Sequence, residues 1–130
     1  MSINDSLANA MEKITRFDGL GRKEVLIKPK SKMIMSVLNI LQEKGYVGSY
    51  EIINDNKGGH LKLHLLKKIN NCGVIKPRYP VELSEYENIE KRYLPAKDFG
   101  VVIVSTPQGL LTHYEAIAKK TGGVLVAYCY

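Results

Sequence analysis

The sequence predicts an α+β protein of two small lobes. An N-terminal α-β-α-β-β lobe spans 1–68, and a C-terminal lobe over 69–130 is mostly β with short helices. Three observations carry that reading. Apolar residues switch between helical spacing (Leu7, Ala10, Met11, Ile14, Phe17) and strand spacing (Leu61, Leu63, Leu65). Strands are joined by tight turns as often as by helices, which favours α+β over a doubly wound sheet. The chain has 130 residues, 45% hydrophobic and 25% charged. That is an ordinary globular composition for one domain or two small lobes sharing an interface, and it excludes disorder, collagen and a low-complexity tail.

The elements follow in order. Asn4-Asp5-Ser6 opens a helix that Gly19 and Gly21 end. Glu24 to Lys28 is a short strand stopped by Pro29. Ser31 caps a second helix with Ile34, Leu38 and Leu41 on its buried face and Gly45 at its C′ position. Tyr46–Ile53 and Leu61–Leu66 are strands around the turn Asn54-Asp55-Asn56-Lys57-Gly58-Gly59, rich in residues that tolerate positive φ. Asn70-Asn71 is a turn or hinge. Val74-Ile75-Lys76 and Val81-Glu82-Leu83 are short strand candidates. Ser84 with Glu87 forms a capping box opening a helix to about Tyr93, before Pro95. Val101 to Val104 is a continuous apolar run, read as a buried strand. Thr112 with Glu115 is a second capping box, whose helix Gly122-Gly123 terminates. Val124 to Tyr128 closes the chain as a strand.

The unusual number is charge. Nineteen Lys+Arg against thirteen Asp+Glu give +6. Such a surplus points to a polyanion, nucleic acid first and an anionic membrane surface second. The lobe over 1–68 holds twelve basic and seven acidic residues, the rest of the chain seven and six. Lys13, Arg16, Arg22, Lys23, Lys28, Lys30 and Lys32 face only Asp18 and Glu24 as local acids. Lys30 and Lys32 flank Ser31 at a helix N-terminus, where free N–H groups and the helix dipole favour a phosphate. The plain alternative is a solvated basic face.

Other classes find little support. No apolar run approaches the ~20 residues that span a bilayer. Met1-Ser2-Ile3-Asn4-Asp5 is neither a signal peptide nor a myristoylation start. Cys72 and Cys129 form no CxxC and read as reduced cytosolic thiols. With His60, His64 and His113 scattered, no metal site is expected. Ser105, His113 and Asp98 can be drawn as a triad, but Ser105 lacks a Gly-x-Ser-x-Gly elbow. No Walker A loop or GxGxxG fingerprint occurs, so no catalytic residue and no cofactor is assigned. Two helices separated by a strand are not a helix-turn-helix, against a DNA-binding regulator. Most of the eight tyrosines, Tyr46 and Tyr128 among them, read as core or sheet residues.

Ser105-Thr106-Pro107-Gln108-Gly109 lies between the buried strand and the helix capped by Thr112. Hydroxyls, an amide and a glycine there make a polar fingertip offering donors, acceptors and close backbone approach. An ordinary strand-to-helix connection is the plain alternative.

The run Ser105 to Thr112, then Glu115-Ala116, then Gly122-Gly123 before an apolar final strand resembles the C-terminal signature of the eighth small-subunit ribosomal protein family. The resemblance covers essentially the whole chain. Asp5-Ser6-Leu7-Ala8 is similar to that family's first helix start, and Pro29-Lys30-Ser31-Lys32 to its Pro-Ser-Ser-Lys segment. Ile75-Lys76-Pro77-Arg78-Tyr79 and the helix near Tyr86 to Leu94 resemble the archaeal and eukaryotic branch, and the lack of long extensions points to an archaeal source.

The resemblance implies a cytoplasmic, ribosomal, non-enzymatic protein. It implies primary binding to an irregular hairpin in the central domain of small-subunit rRNA, early in assembly, beside neighbouring ribosomal proteins. Bacterial members also bind a similar element in their own operon mRNA. The implied RNA-binding residues are Asp5, Lys30, Ser31, Lys32, Ser105, Thr106, Pro107, Gln108, Gly109, Gly122 and Gly123. Ser31 and Lys32 would hold phosphates; Ser105 and Thr106 would meet 2′-hydroxyls and base edges in the wide minor groove. Gln108 would bridge a base or phosphate, while Gly109 and Gly122-Gly123 would let backbone approach. The sequence departs from the family pattern in places. Pro107 stands where many relatives have Ser, Gln108 where Lys is frequent, Ser6 where Pro is common, and Val124 where many bacterial relatives have Glu.

Overall fold

A computed structural model describes residues 3–28, 31–54, 59–76, 78–96 and 99–130. They fall in two compact units, Met1–Cys72 and Gly73–Tyr130.

In the first unit, helix α1 (Ile3–Gly19) is followed by strand β1 (Glu24–Ile27), helix α2 (Lys32–Glu43) and strands β2 (Val47–Ile53) and β3 (His60–Leu65). The three strands form an antiparallel sheet in the order β1-β3-β2. The period-two pattern read in β3 is realised: Leu61, Leu63 and Leu65 are buried, and His60, Lys62 and His64 are partly exposed on the opposite face. Helix α1 packs on β1 and α2, and α2 on β2. The stripe Leu7, Ala10, Met11, Ile14 is buried, as are Ile34, Val37, Leu38 and Leu41 of α2. Each fully buried Leu or Ile contributes roughly 1.5–3 kcal/mol. These stripes, rather than helix propensity, therefore hold the helices down.

Both helices end in Schellman turns. In α2, Gly45 (φ +83) donates to Gln42 O and Tyr46 N–H reaches back to Leu41 O. In α1, Gly21 N–H donates to Asp18 O and Arg22 N–H to Phe17 O. The Asp18 carboxylate is buried and accepts the backbone N–H groups of Lys67 (2.8 Å) and Ile69 (3.1 Å). It pins the loop after β3, whose Lys67 has φ +56.

In the second unit, strands β4 (Cys72–Val74) and β5 (Pro80–Val81) lie on one edge of β8 (Gly123–Cys129), with β6 (Val101–Thr106) and then β7 (Gly109–Thr112) on its other side. A 3-10 turn (Leu83–Glu85) and helix α3 (Tyr86–Tyr93) precede β6, and helix α4 (His113–Ala118) follows β7. Tyr86, Ile89 and Leu94 pack with Ile75, Val81, Val102, Val104, Ala116 and Leu125 in one core. Tyr79, Tyr93, Tyr128 and Tyr130 border it, with Tyr93 stacked on Tyr128 at 5.8 Å. Tyr128, expected as a core or sheet residue, lies in β8, half-buried against this core. Burial raises the hydroxyl pKa of Tyr93, and its hydrogen bond with Tyr79 raises it further.

Four local expectations are corrected. The first capping box joins Glu82 and Glu85 rather than Ser84 and Glu87. Pairing of β5 with β8 keeps the backbone extended through Glu82, so the chain turns there and Ser84 falls inside the turn. Helix α4 ends at Ala118, not at Gly122-Gly123. Its Schellman turn is made by Lys120 (φ +55), with Lys120 N–H on Ile117 O and Thr121 N–H on Ala116 O. The strand expected over 74–76 lies at Cys72–Val74, and only Val81 of the 81–83 run pairs. Finally, Gly109–Thr112 is a strand, so the polar segment is the tip of a β6–β7 hairpin, not a strand-to-helix connection.

Candidate nucleic-acid interface

The first group of predicted residues sits at the start of α2. Ser31 has extended backbone (φ −139, ψ 153), and its hydroxyl accepts the N–H of Ile34 at 3.1 Å. One donor of the helix N-terminus is thereby satisfied, while the hydroxyl keeps its own proton for a partner. The first turn of α2 holds no acidic residue, and Lys32 is exposed. The positive end of the helix is thus reinforced by a lysine and opposed by no carboxylate of its own first turn. Lys30 lies outside the described residues. Asp5 falls in the first turns of α1, and its side chain lies outside them too.

The second group is the hairpin tip. Ser105 pairs with Leu110 and Thr106 with Gly109, leaving Pro107-Gln108 as the tip. Pro107 fixes φ near −65°, which forbids the primed turns that most two-residue hairpins use. Gly109 meets the chain's need for positive φ instead, at +109. Gly109 closes the turn directly opposite Thr106, and the β6–β7 register runs on from it without a shift. A Cβ on Gly109 would meet nothing within 4 Å, so conformation rather than space requires glycine there.

Thr106 is buried, and its hydroxyl works inside the turn. It donates to Gly109 O at 2.8 Å and accepts Gln108 N–H at 3.1 Å. A hydroxyl has one proton and two lone pairs, so one lone pair is left for a ligand. Among the described residues, nothing takes the hydroxyl of half-buried Ser105 or the side-chain amide of exposed Gln108.

Gly122 and Gly123 are required from within the unit. A Cβ on Gly122 would stand 2.6 Å from Val81 O, and one on Gly123 would stand 2.5 Å from Ser105 O. The structure thus brings Gly123 and the base of the hairpin together. The missing side chains make room for strands β5 and β6.

Both nitrogens of His113 are engaged. Nδ1 accepts Val102 N–H at 3.1 Å, so the neutral ring carries its proton on Nε2, 3.0 Å from Glu90 Oε2. The imidazole that a Ser105 triad would need is a buried strut between α3, α4 and β6. Asp98 lies outside the described residues. Among the described residues no group of three or more His, Cys, Asp or Glu could hold a metal ion, and no helix is long and apolar enough to cross a membrane.

The basic start of α2 and the polar hairpin tip define the class of basic binding proteins. The sequence model of the family described as Ribosomal protein S8 matches residues 5–130. The small ribosomal subunit protein uS8 of Desulfurococcus amylolyticus is 52% identical over 133 residues, covering the whole of both chains. The chain belongs to the ribosomal protein S8 family, and its similarity is of the archaeal type. It is an RNA-binding structural protein of the ribosome and not an enzyme.

Proposed function

We propose that this chain is the small-subunit member of its family that binds an irregular hairpin in the central domain of small-subunit rRNA, early in subunit assembly. Ser31 and Lys32 at the start of α2 contribute phosphate affinity. The β6–β7 tip contributes recognition through the Ser105 hydroxyl, the Gln108 amide and the remaining lone pair of Thr106. These are short, neutral groups of the kind that read 2′-hydroxyls and base edges in a wide minor groove. Gly109, exposed and without a side chain, lets the backbone come close. The observation that carries this reading is the division of labour at the tip: Thr106 holds the turn while Ser105 and Gln108 are left for a ligand. An mRNA element of the same shape would occupy the same groups.

The test is titration of the purified protein with the central-domain hairpin and with an unrelated duplex, over a range of salt. The hairpin is preferred, and its affinity falls as salt rises. Lys32→Ala weakens both RNAs and flattens the salt slope by roughly 0.7–0.9. Gln108→Ala lowers only the preference. Equal affinity of the unaltered protein for the two RNAs would sink the specific claim.

A further inference from the structure

The first unit carries a groove that the residues assigned above do not use. About 590 Å³ of space is lined by Lys13, Phe17, Arg22, Leu26, Ile53 and Lys62, among others. A neighbouring hollow of about 360 Å³ shares Lys13 and Leu26 with it and continues to Lys28. The two run along β1, between α1 and the open face of the sheet.

The floor of this groove is backbone as well as side chain. Leu65 N–H donates to Lys23 O at 2.8 Å, which makes Lys23 and Leu65 a hydrogen-bonded pair. Alternation along an antiparallel ladder then turns the peptide groups of Val25 and Ile27 toward β3 and those of Leu26 toward the outer edge. Leu26 is 44% exposed although strongly apolar.

The walls are cationic. Lys13, Arg22 and Lys28 line the two hollows, and Lys13 Nζ lies 5.7 Å from the centre of the Phe17 ring. Among the described residues the groove's one lining carboxylate, Glu24, is engaged by Lys62 at 3.4 Å and His64 at 3.8 Å. Among the described residues, Arg22 and Lys28 have no acidic partner. The far end of the groove, at Lys28, is three residues from Ser31.

We infer that this groove is a second RNA contact, holding a single-stranded or irregular segment of rRNA whose backbone continues from the phosphates held at the start of α2. Charge complementarity names a polyanion. Continuity with Ser31 and Lys32 makes it the RNA already bound there. The exposed side chain of Leu26 offers an apolar bed for a sugar or base beside the half-buried Phe17 ring, and the outward Leu26 N–H a donor for a phosphate oxygen. A basic groove with an aromatic wall is the usual design for sequence-tolerant binding of single strands. The inference rests on the proposed function above and adds to it a second stretch of RNA.

The test compares two RNAs on the full chain: the minimal central-domain hairpin, and a longer central-domain fragment that keeps the flanking strands. The variant is Lys13→Gln, Arg22→Gln, Lys28→Gln, at one partly exposed and two exposed positions, with thermal unfolding as the check on folding. The expected result is about tenfold weaker binding to the long fragment, a salt slope flatter by roughly two for three lost phosphate contacts, and unchanged binding to the minimal hairpin. Equal weakening on both RNAs would make the groove part of the first contact and overturn the inference. Unaltered binding to both would also overturn it, as would protection of Leu26 by a ribosomal polypeptide and not by RNA. Failure of the primary reading shows separately, as loss of preference for the hairpin in the unaltered protein.

Discussion

The carboxylate of Glu90 meets the buried imidazole of His113 at 3.0 Å, while the opposite ring nitrogen takes the backbone N–H of Val102. One ring thereby ties helix α3 to strand β6 at the foot of helix α4. Replacing His113 by Ala removes both contacts and leaves a void, at a cost of about 3 kcal/mol or more. Glu90→Gln keeps an acceptor and costs about 1 kcal/mol. Urea unfolding monitored by circular dichroism separates the two.

Asp18 makes a comparable link in the other unit, through two backbone N–H groups. Hydrogen bonds to a charged acceptor are each worth roughly 1.5–3 kcal/mol. Asp18→Ala is expected to destabilise by about 2–4 kcal/mol, and Asp18→Asn by about half as much. Hydrogen exchange at Lys67 and Ile69 should accelerate before any other change is seen.

Lys120 occupies a left-handed conformation that costs a residue with a Cβ about 1–2 kcal/mol relative to glycine. Glycine loses more freedom on folding, which returns part of that gain. Lys120→Gly is therefore expected to stabilise by roughly 0.5–1 kcal/mol, read as a rise in Tm. A fall in Tm would show that the lysine makes a compensating contact.

Stability should decline in alkali for a specific reason. Burial raises the pKa of Tyr86 above 10.0, and its hydroxyl donates to Thr121 O at 2.9 Å. The folded state holds this proton more tightly than the unfolded chain does. Below pH 10 both states keep it, and the contribution is fully present. Above pH 10 the unfolded state releases it first, and stability falls as pH rises. Tyr86→Phe should flatten that decline while lowering stability at neutral pH by about 1 kcal/mol. Unfolding free energies measured between pH 8 and pH 11 decide it.

Gly123→Ala places a methyl against Ser105 O and Val104. Strand β8 or the hairpin must shift to admit it. A loss of about 2 kcal/mol is expected, together with poorer hairpin selectivity. Gly109→Ala meets no atom and should show only the conformational cost, about 1–2 kcal/mol. Paired stability and RNA-binding measurements on the two variants distinguish displacement of the strand from strain in the turn.

The helices and the central strands were legible because apolar periodicity is a local signal. The stripe from Leu7 to Ile14 and the alternation from Leu61 to Leu65 each point to one face. Strand β7 was not legible. Gly109-Leu110-Leu111-Thr112 is too short to show a period, and its pairing with β6 is set by the turn at Pro107. The end of α4 was misplaced because a Schellman turn is defined by two hydrogen bonds, and here they form around a lysine. Gly122 and Gly123 looked like a helix stop, but they clear space for strands distant in sequence. At the site, residue types around 105–109 carried the chemistry. That the Thr106 hydroxyl is tied into the turn while the Ser105 hydroxyl and Gln108 amide are not is a property of the fold. The basic cluster from Lys13 to Lys28 was visible as charge, whereas the groove needs the edge of β1 beside α1.

The two hydrogen bonds of the Thr106 hydroxyl hold the hairpin tip in one shape. A tip of two residues, one of them proline, already tied by the flanking Thr106 side chain, has little conformational freedom left to lose. A partner docking there pays almost none of the ordering entropy that a mobile loop would exact. On the function proposed above, the tip would act as a rigid template: an RNA that fits would lock on at first encounter, and one that does not would itself have to deform.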